Sequence, residues 1–427
     1  MISEFYRKQA LALRVLHIES RNLRKKVMGG MPSAQARLIE RELERVAASG
    51  DPIVVGPWLT EPGIELMFWV PFLRWFVNRF AVDPERIVVV SRGGVHGWYE
   101  GISAHYVEAF EFAAPDGLNG LAPDWNVKGK PVEIHRWDRD LFEHARTRCG
   151  WVRAEWIHPA MLFNFTRLIY NAGDAANRLL LGMTIHRHLT HPPPPPEALA
   201  DLPSEFVAIR FYTQARNGAL WHTDETARVI REFVRLLSER IAVVDLDPGV
   251  RLRDNVIPQW DFDYGQETKV WRLFGRASLQ HNLGAQTWLV SQARAFAGTL
   301  GGLSCLAPVT GVPALTFTSL VGYPFLTPYR RFSDLAFAEL AAKYGISNPL
   351  HANLPVLVDA FVKDITGVRA FPWPVGPDAR KDGGTAHPDD AAFALVRVGS
   401  EDWRDRKVRR AKVRRRIRAH RAPALKA

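Results

Sequence analysis

The run Arg294-Ala-Phe-Ala-Gly-Thr-Leu-Gly-Gly-Leu-Ser-Cys-Leu-Ala-Pro-Val-Thr-Gly-Val-Pro-Ala-Leu-Thr-Phe-Thr318 decides the fold class. It reads as a short buried strand, a glycine-rich turn, a helix opening, a glycine stop and a second apolar strand. Gly298, Gly301 and Gly302 let the backbone turn and approach a ligand without a Cβ in the way. The expected helix start offers free N–H groups and a positive dipole end to an anion. Thr299 and Ser304 add hydroxyl donors at the same mouth. Gly311 ends the helix and Pro313 redirects the chain. Such a turn suits the phosphates of a nucleotide or nucleotide-sugar.

Working outward, the same alternation recurs. Phe206-Val-Ala-Ile-Arg-Phe-Tyr212 is an apolar strand, followed by a helix over 224–240, the strand Ile241–Asp245, a strand at 269–273 and a helix over 282–293. Upstream, 51–56 reads as a strand leading through a turn into a buried helix over 64–80, and Arg86–Ser91 is a further strand ending in Arg92-Gly93-Gly94. Strands alternating with helices indicate parallel sheets. His191 and the prolines Pro192 to Pro196 make a stiff connector between two such series. The expected division is a helical N-terminal segment (1–50), an acceptor-side α/β domain (51–190), a Pro-rich linker (191–200), a nucleotide-sugar-binding α/β domain (201–400) and a basic tail (401–427). The fold class is therefore α/β, two Rossmann-like doubly wound domains facing a cleft, where ligands of such sheets bind.

Composition narrows the class further. The chain has 427 residues, 47% of them hydrophobic and 24% charged, which is ordinary for a globular protein. Cys149 and Cys305 are the two cysteines, too few for a disulfide framework, which points to a reducing, cytoplasmic compartment. Arg14 interrupts the brief apolar run near Met1, against a signal peptide. The helix at 64–80 carries Glu65, Arg74 and Arg79 and is broken by Pro71, against a membrane span.

Residues 404–427 hold twelve Lys or Arg and one acid, a net of +11, and the whole chain is also +11, so residues 1–403 are formally neutral. The high isoelectric point belongs to the tail. An anionic membrane surface attracts such a segment by about 1 kcal/mol per basic residue. That predicts a peripheral location at the inner membrane face, with nucleic acid as the rival target.

Two segments carry a resemblance. Gly301–Pro313 is similar to the donor-binding turn of heptosyltransferase-like enzymes, and Phe206–Tyr212 looks like the strand-plus-arginine of fucosyltransferase-like enzymes. Both are glycosyltransferases of the GT-B fold. Where the first family carries an acidic residue and a histidine, this chain has Leu300 and Cys305. In the second, the arginine contacts the donor diphosphate, which implies that role for Arg210; the acidic companion of that arginine is missing directly after Arg210. The resemblance implies transfer of a sugar from a nucleotide diphosphate-sugar to a glycan or lipid-linked acceptor.

The residues themselves support specific roles. Arg210 ends an apolar strand, and its planar fork matches two phosphate oxygens. An arginine held there for structure alone would need a buried acidic partner. Tyr212 and His222 are its neighbours, and Gly56, Arg92, Thr299, Gly301, Gly302 and Ser304 complete the expected substrate contacts. Glu61 leaves the loop after the first strand and is the expected base for the acceptor hydroxyl, with Glu65 one helical turn further in as the reserve. Trp58, Trp98, Trp221 and Trp260 fall in or near loops where they could stack on sugars. Asp138-Arg-Asp140, Asp245-Leu-Asp247 and Asp261-Phe-Asp263 match a loose Asp-x-Asp metal pattern, but the doubly wound layout favours metal-independent chemistry with no cofactor. His186, His188 and His191 read as linker histidines. Two other classes stay open: a non-catalytic glycan- or nucleotide-binding protein of this fold, and a polyanion-binding protein acting through its tail.

Overall fold

The computed structural model describes residues 31–112, 134–162, 174–190, 199, 201–212, 223–249, 264, 268–318 and 327–367. The chain opens with helix α1 (Met31–Ala48) and strand β1 (Ile53–Val55). Helix α2 follows, assembled from Pro62–Ile64, a π-helical turn Glu65–Trp69 and Val70–Phe80. After β2 (Ile87–Ser91) and β3 (His105–Glu108) come α3 (Arg136–Arg148), β4 (Glu155–Ile157) and α4 (Asp174–Leu181). The second series is β5 (Phe206–Arg210), α5 (Asp224–Ser238), β6 (Ala242–Asp245), β7 (Val270–Arg272), α6 (Asn282–Gln292) and β8 (Ala295–Thr299). It ends with β9 (Ala314–Phe317), α7 (Thr327–Glu339), β10 (Tyr344–Ser347) and α8 (Leu354–Ile365).

All strand pairs are parallel, in a four-stranded sheet ordered β3-β2-β1-β4 and a six-stranded sheet ordered β10-β9-β8-β5-β6-β7. Both are doubly wound, because each order reverses direction beside its first strand. The reversals fall between β1 and β4 in one sheet and between β5 and β8 in the other, the points where open α/β sheets hold ligands. Helices cover both faces of such sheets, so their strands need apolar side chains on both sides. β2, β5 and β8 accordingly are buried at every position. Helix α5 shows the complementary pattern. Thr223 caps its start by accepting from the Thr226 N–H, and Ile230, Phe233, Val234 and Leu237 bury one face.

The π-helical turn in α2 has a cause in Pro71. A proline inside a helix lacks the N–H and crowds the carbonyl four residues back, here Met67. The ladder widens, so that the Val70 N–H reaches the Glu65 carbonyl. The Met67 carbonyl instead lies 3.1 Å from Nε2 of His186, on the segment that leads out of the first series. Each consequence follows from one residue.

The carboxyl ends of the two sheets meet. Gly63, at the start of α2, packs so closely on the turn after β8 that a Cβ there would lie 2.7 Å from Gly302 Cα. The Gly284 N–H of α6 donates to the Gly93 carbonyl at 2.8 Å, and Trp98 Nε1 donates to Thr287 Oγ1 at 3.0 Å. Phe68 stacks on Phe332 at 4.4 Å, and one apolar core runs through both series. Along α2, Trp58, Trp69, Phe72 and Trp75 form a run of stacked rings within that core. Trp58 and Trp98 are each 1% exposed, so neither is a sugar-stacking platform; their polar nitrogens are spent on Glu61 O and Thr287. Trp221, Trp260, His222 and His191, the Pro-rich connector 191–198 and the tail from 368 onward lie outside the described residues. Among the described residues, no helix is long and apolar enough to cross a membrane.

Candidate functional site

At the reversal point of the second sheet, β5 and β8 lie side by side with Arg210 opposite Gly298. Beyond the strand ends, Thr299 Oγ1 accepts from the Tyr212 N–H at 2.9 Å and donates to the Tyr212 carbonyl at 2.8 Å. The Tyr212 ring then lies over Gly301, with its hydroxyl accepting from the Gly302 N–H. Only a residue without a Cβ fits at 301 under that ring. Burial, then the nearby Glu61 carboxylate, raises the Tyr212 hydroxyl far above the ordinary phenol range. Tyr212, Thr299, Gly301 and Gly302 thus pack together just beyond the ends of β5 and β8.

The helix expected after Gly301 is a 3₁₀ turn, Gly302–Cys305, followed by a four-residue α-helix, Leu306–Val309. Ser304 Oγ closes the turn on itself, bonded to both the N–H and the carbonyl of Gly301 and fully buried. Pro308 and Gly311 stop propagation within a turn. So short a piece has little macrodipole to offer an anion.

Arg210 is 6% exposed and pairs with Asp247, Nη1 to Oδ2 at 3.2 Å. Arg210 therefore has the buried acidic partner that an arginine held for structure would need, Asp247 just beyond the end of the neighbouring strand β6. Asp245 accepts from the Asp247 N–H at 3.1 Å and from the Tyr264 hydroxyl at 3.4 Å. Burial pushes the Asp245 carboxyl up to about 6, against the pull of Arg210 and with the Asp247 charge adding to the rise. The Asp-x-Asp pattern here is an arginine-binding arrangement. Among the described residues, no three His, Cys, Asp or Glu side chains are placed to hold a metal ion. Asp138 accepts from the His135 N–H at 2.7 Å at the start of α3, and Asp261 and Asp263 lie outside the described residues.

Asp245 gives a pH prediction with a definite sign. Its folded value of about 6 exceeds the unfolded value of about 3.9, so the folded chain holds this proton more tightly. The associated stability is fully present below about pH 4 and is lost as pH rises through about 6, on the order of 3 kcal/mol in all. Asp245→Asn should be more stable than the wild type at pH 7 and equal to it near pH 4. Urea unfolding of both proteins at the two pH values measures this, and an equal gap at both would reject it.

The first sheet contributes a second cluster. Glu61 is exposed at the start of α2, and its charge acts on Tyr212 and Cys305 of the opposite sheet. Glu65 is entirely buried and receives Arg92 Nη1 at 2.8 Å, Ser91 Oγ at 2.6 Å and the Tyr99 hydroxyl at 2.5 Å. Arg92 also donates to the Thr60 carbonyl. Burial raises the Glu65 carboxyl against the opposing pull of these partners. Arg92 is therefore the counter-ion of Glu65, buried at 4% exposure with its terminal nitrogens taken by Glu65 and the Thr60 carbonyl. Gly56, at φ +111°, is likewise fully engaged: its N–H donates to the Ile157 carbonyl at 3.0 Å and its carbonyl accepts from Trp156 Nε1 at 2.7 Å. Glu108 ends β3 and accepts the N–H groups of Gly93 and Gly94 at 3.0 and 2.9 Å, fixing the turn that meets α6.

Sequence reasoning missed Asp247 as the partner of Arg210, and Ser91 and Tyr99 as partners of Glu65. For Asp247 a signal existed, since β6 must neighbour β5 in a doubly wound order. For Tyr99, on a 3₁₀ turn after β2, there was none.

The sequence matches no protein-family model and no curated protein. Among solved structures it is similar to a glycosyl transferase family 9 protein from Veillonella parvula, 14% identical, over 62% of this chain and 80% of that one, with a TM-score of 0.37. The heptosyltransferase WaaC of E. coli, solved with ADP, is 11% identical over 74% of this chain and 99% of its own, with a TM-score of 0.34. A putative UDP-N-acetylglucosamine 2-epimerase from Listeria monocytogenes is 12% identical over 77% and 100% of the two chains, with a TM-score of 0.29. These likenesses are loose, and the architecture rests on the strand orders and meeting edges described above. By those features the chain is α/β, with two Rossmann-like sheets in a GT-B-like arrangement.

Proposed function

We propose that this chain is a glycosyltransferase, taking a nucleotide diphosphate-sugar as donor and a hydroxyl of a glycan or lipid-linked molecule as acceptor. The observation that carries the reading is the meeting of two carboxyl sheet edges with Arg210 at the reversal point of one and Glu61 on the other. In this reading Arg210 and the N–H groups around Gly301 and Gly302 take the diphosphate. Arg210 is held in place by Asp247 before the donor arrives, while the Gly301 N–H must leave Ser304 Oγ to reach it. Tyr212 must yield its hydrogen bond from Gly302 as the donor seats. Glu61, exposed at the start of α2, serves as the base for the acceptor hydroxyl. Glu65 and Arg92 hold the loop that presents it, through the Thr60 carbonyl.

Thermal denaturation of the full chain against a panel of nucleotides and nucleotide-sugars tests the donor class. A donor at a hundred times its Kd adds about 2.7 kcal/mol of stability, and the panel should single out one nucleotide. No stabilisation by any diphosphate-bearing ligand would reject the reading. Transfer should persist in EDTA, and loss on chelation restored by Mn²⁺ would assign the diphosphate to a cation instead.

Residues 404–427 are proposed to adsorb to an anionic membrane surface. Truncation after Trp403 should abolish binding to phosphatidylserine vesicles at low salt and leave nucleotide-sugar binding unchanged. Vesicle binding undiminished by the truncation would move the anchor to the basic segment around Arg24, Lys25 and Lys26.

A further inference from the structure

A second site lies away from the meeting sheet edges, where the segment 182–190 crosses from the first series to the second. There Ile185 N–H donates to the Pro71 carbonyl at 3.0 Å and Leu189 N–H to the Val309 carbonyl at 2.7 Å, so the segment is pinned to both halves. Between it and α2 the surface dips into a shallow, open-mouthed hollow. Its floor is apolar, with Leu66, Leu189 and Val309, and its polar wall is Arg74, His186 and Arg187.

The charges in this hollow do not balance. Arg74 is partly buried and donates to the Trp98 carbonyl at 3.2 Å, a neutral acceptor. Among the described residues, no carboxylate stands within ion-pair distance of Arg74 or Arg187. Burial is the main cause, and the adjacent Arg187 the second, of a fall in the Arg74 value to about 10; Glu100 opposes it. Glu100 is exposed and accepts a hydrogen bond from Thr190. The carboxylate of Glu339 is taken by His186 Nδ1 at 3.1 Å, and His186 Nε2 faces the Met67 carbonyl. A partly desolvated guanidinium beside a second cation is costly unless an anion joins them. Among the described residues, the two buried arginines have carboxylate partners, Glu65 for Arg92 and Asp247 for Arg210.

We infer that the mouth of this hollow binds a small oxoanion, a phosphate group held between the guanidiniums of Arg74 and Arg187. Two planar forks meeting at one mouth suit the several oxygens of a phosphate. Because Arg74 belongs to α2 and Arg187 to the crossing segment, with Val309 of the second half in the floor, the anion fastens the segment to the body. The inference is independent of the proposed glycosyl transfer.

Inorganic phosphate, titrated into the full-length chain with chloride matching the ionic strength, is the probe, and the melting temperature is the readout. Phosphate should raise it saturably in the wild type. Arg187→Met, a change at an exposed position, should weaken the apparent phosphate affinity at least tenfold, while Arg41→Met on α1 should leave it unchanged. Arg187→Glu places a carboxylate beside Arg74. It should melt above the wild type without phosphate and no longer respond to phosphate, a gain that simple damage cannot produce. Several outcomes would overturn the inference: no phosphate response in the wild type, an undiminished response in Arg187→Met, or loss of the response in Arg41→Met. A response that vanishes in Arg210→Ala but persists in Arg187→Met would also do so, placing phosphate at the sheet edges instead.

Discussion

Glu65→Ala should destabilise the chain by about 3–5 kcal/mol, the range for removing one partner of a buried ion pair. Glu65 is 0% exposed and Arg92 is 4% exposed, so neither solvent nor a flexible neighbour can replace the lost contact. The substitution takes the carboxylate from the Arg92 guanidinium and the Tyr99 hydroxyl and leaves the Ser91 hydroxyl only the Trp58 carbonyl. Glu65→Gln keeps the carbonyl oxygen for one donor and should cost less. The double change Glu65→Leu with Arg92→Met removes both charges and should recover much of the loss, because the penalty comes chiefly from the uncompensated partner. Urea unfolding of the four proteins decides it. A loss below about 1 kcal/mol for Glu65→Ala, the level of an exposed pair, would show that the cluster is not the internal support the geometry describes.

Arg210→Ala carries the second large effect, and it has two parts that can be separated. It leaves Asp247 buried and unpaired, at a cost of about 3–5 kcal/mol in stability. It should also weaken nucleotide-sugar binding by at least about 1.5–3 kcal/mol, the range for hydrogen bonds to charged groups. Adding Asp247→Asn removes the stranded charge and should restore most of the stability. If donor binding stays weak in the restabilised double variant, Arg210 contacts the donor. If binding returns with stability, Arg210 serves only to hold β5 and β6 together, and the donor assignment fails.

The alternation of apolar strands and helices in the second half was legible in the sequence. β5, β6, β7, β8 and β9 fall where their β-branched and aromatic runs indicate, and α5 ends within two residues of its expected end. The first half was read less fully. β3 and β4 are His105–Glu108 and Glu155–Ile157, with polar or aromatic residues in place of an aliphatic run. They are the edge strands of their sheet, where burial is incomplete and the pattern weakens. That β5, ending in Arg210, and β8, leading into the glycine turn, lie side by side was also legible, since both belong to one doubly wound series. The fate of Arg92 was not. A strand-end arginine beside two glycines looks poised for a ligand, and only the π-helical turn in α2 brings Glu65 under it. That turn follows from Pro71, a residue the sequence offered only as a helix breaker.

The tight seating of α6 on the turn after β2 bears on how this protein could be made more robust. Glycine inside a helix is an obvious target for stabilisation, since alanine there is worth about 1 kcal/mol in propensity. Gly284 sits inside α6, yet a methyl group on it would lie 2.6 Å from the Gly94 carbonyl oxygen, on backbone that cannot step aside without parting the two sheets. Propensity-guided redesign would therefore choose the wrong residue here. Gly101 and Gly150 have open space around them but hold φ of +71° and +70°, so they too gain nothing from alanine. A thermostable variant would draw its gains from charge balance and side-chain packing, and leave these three glycines where the backbone placed them.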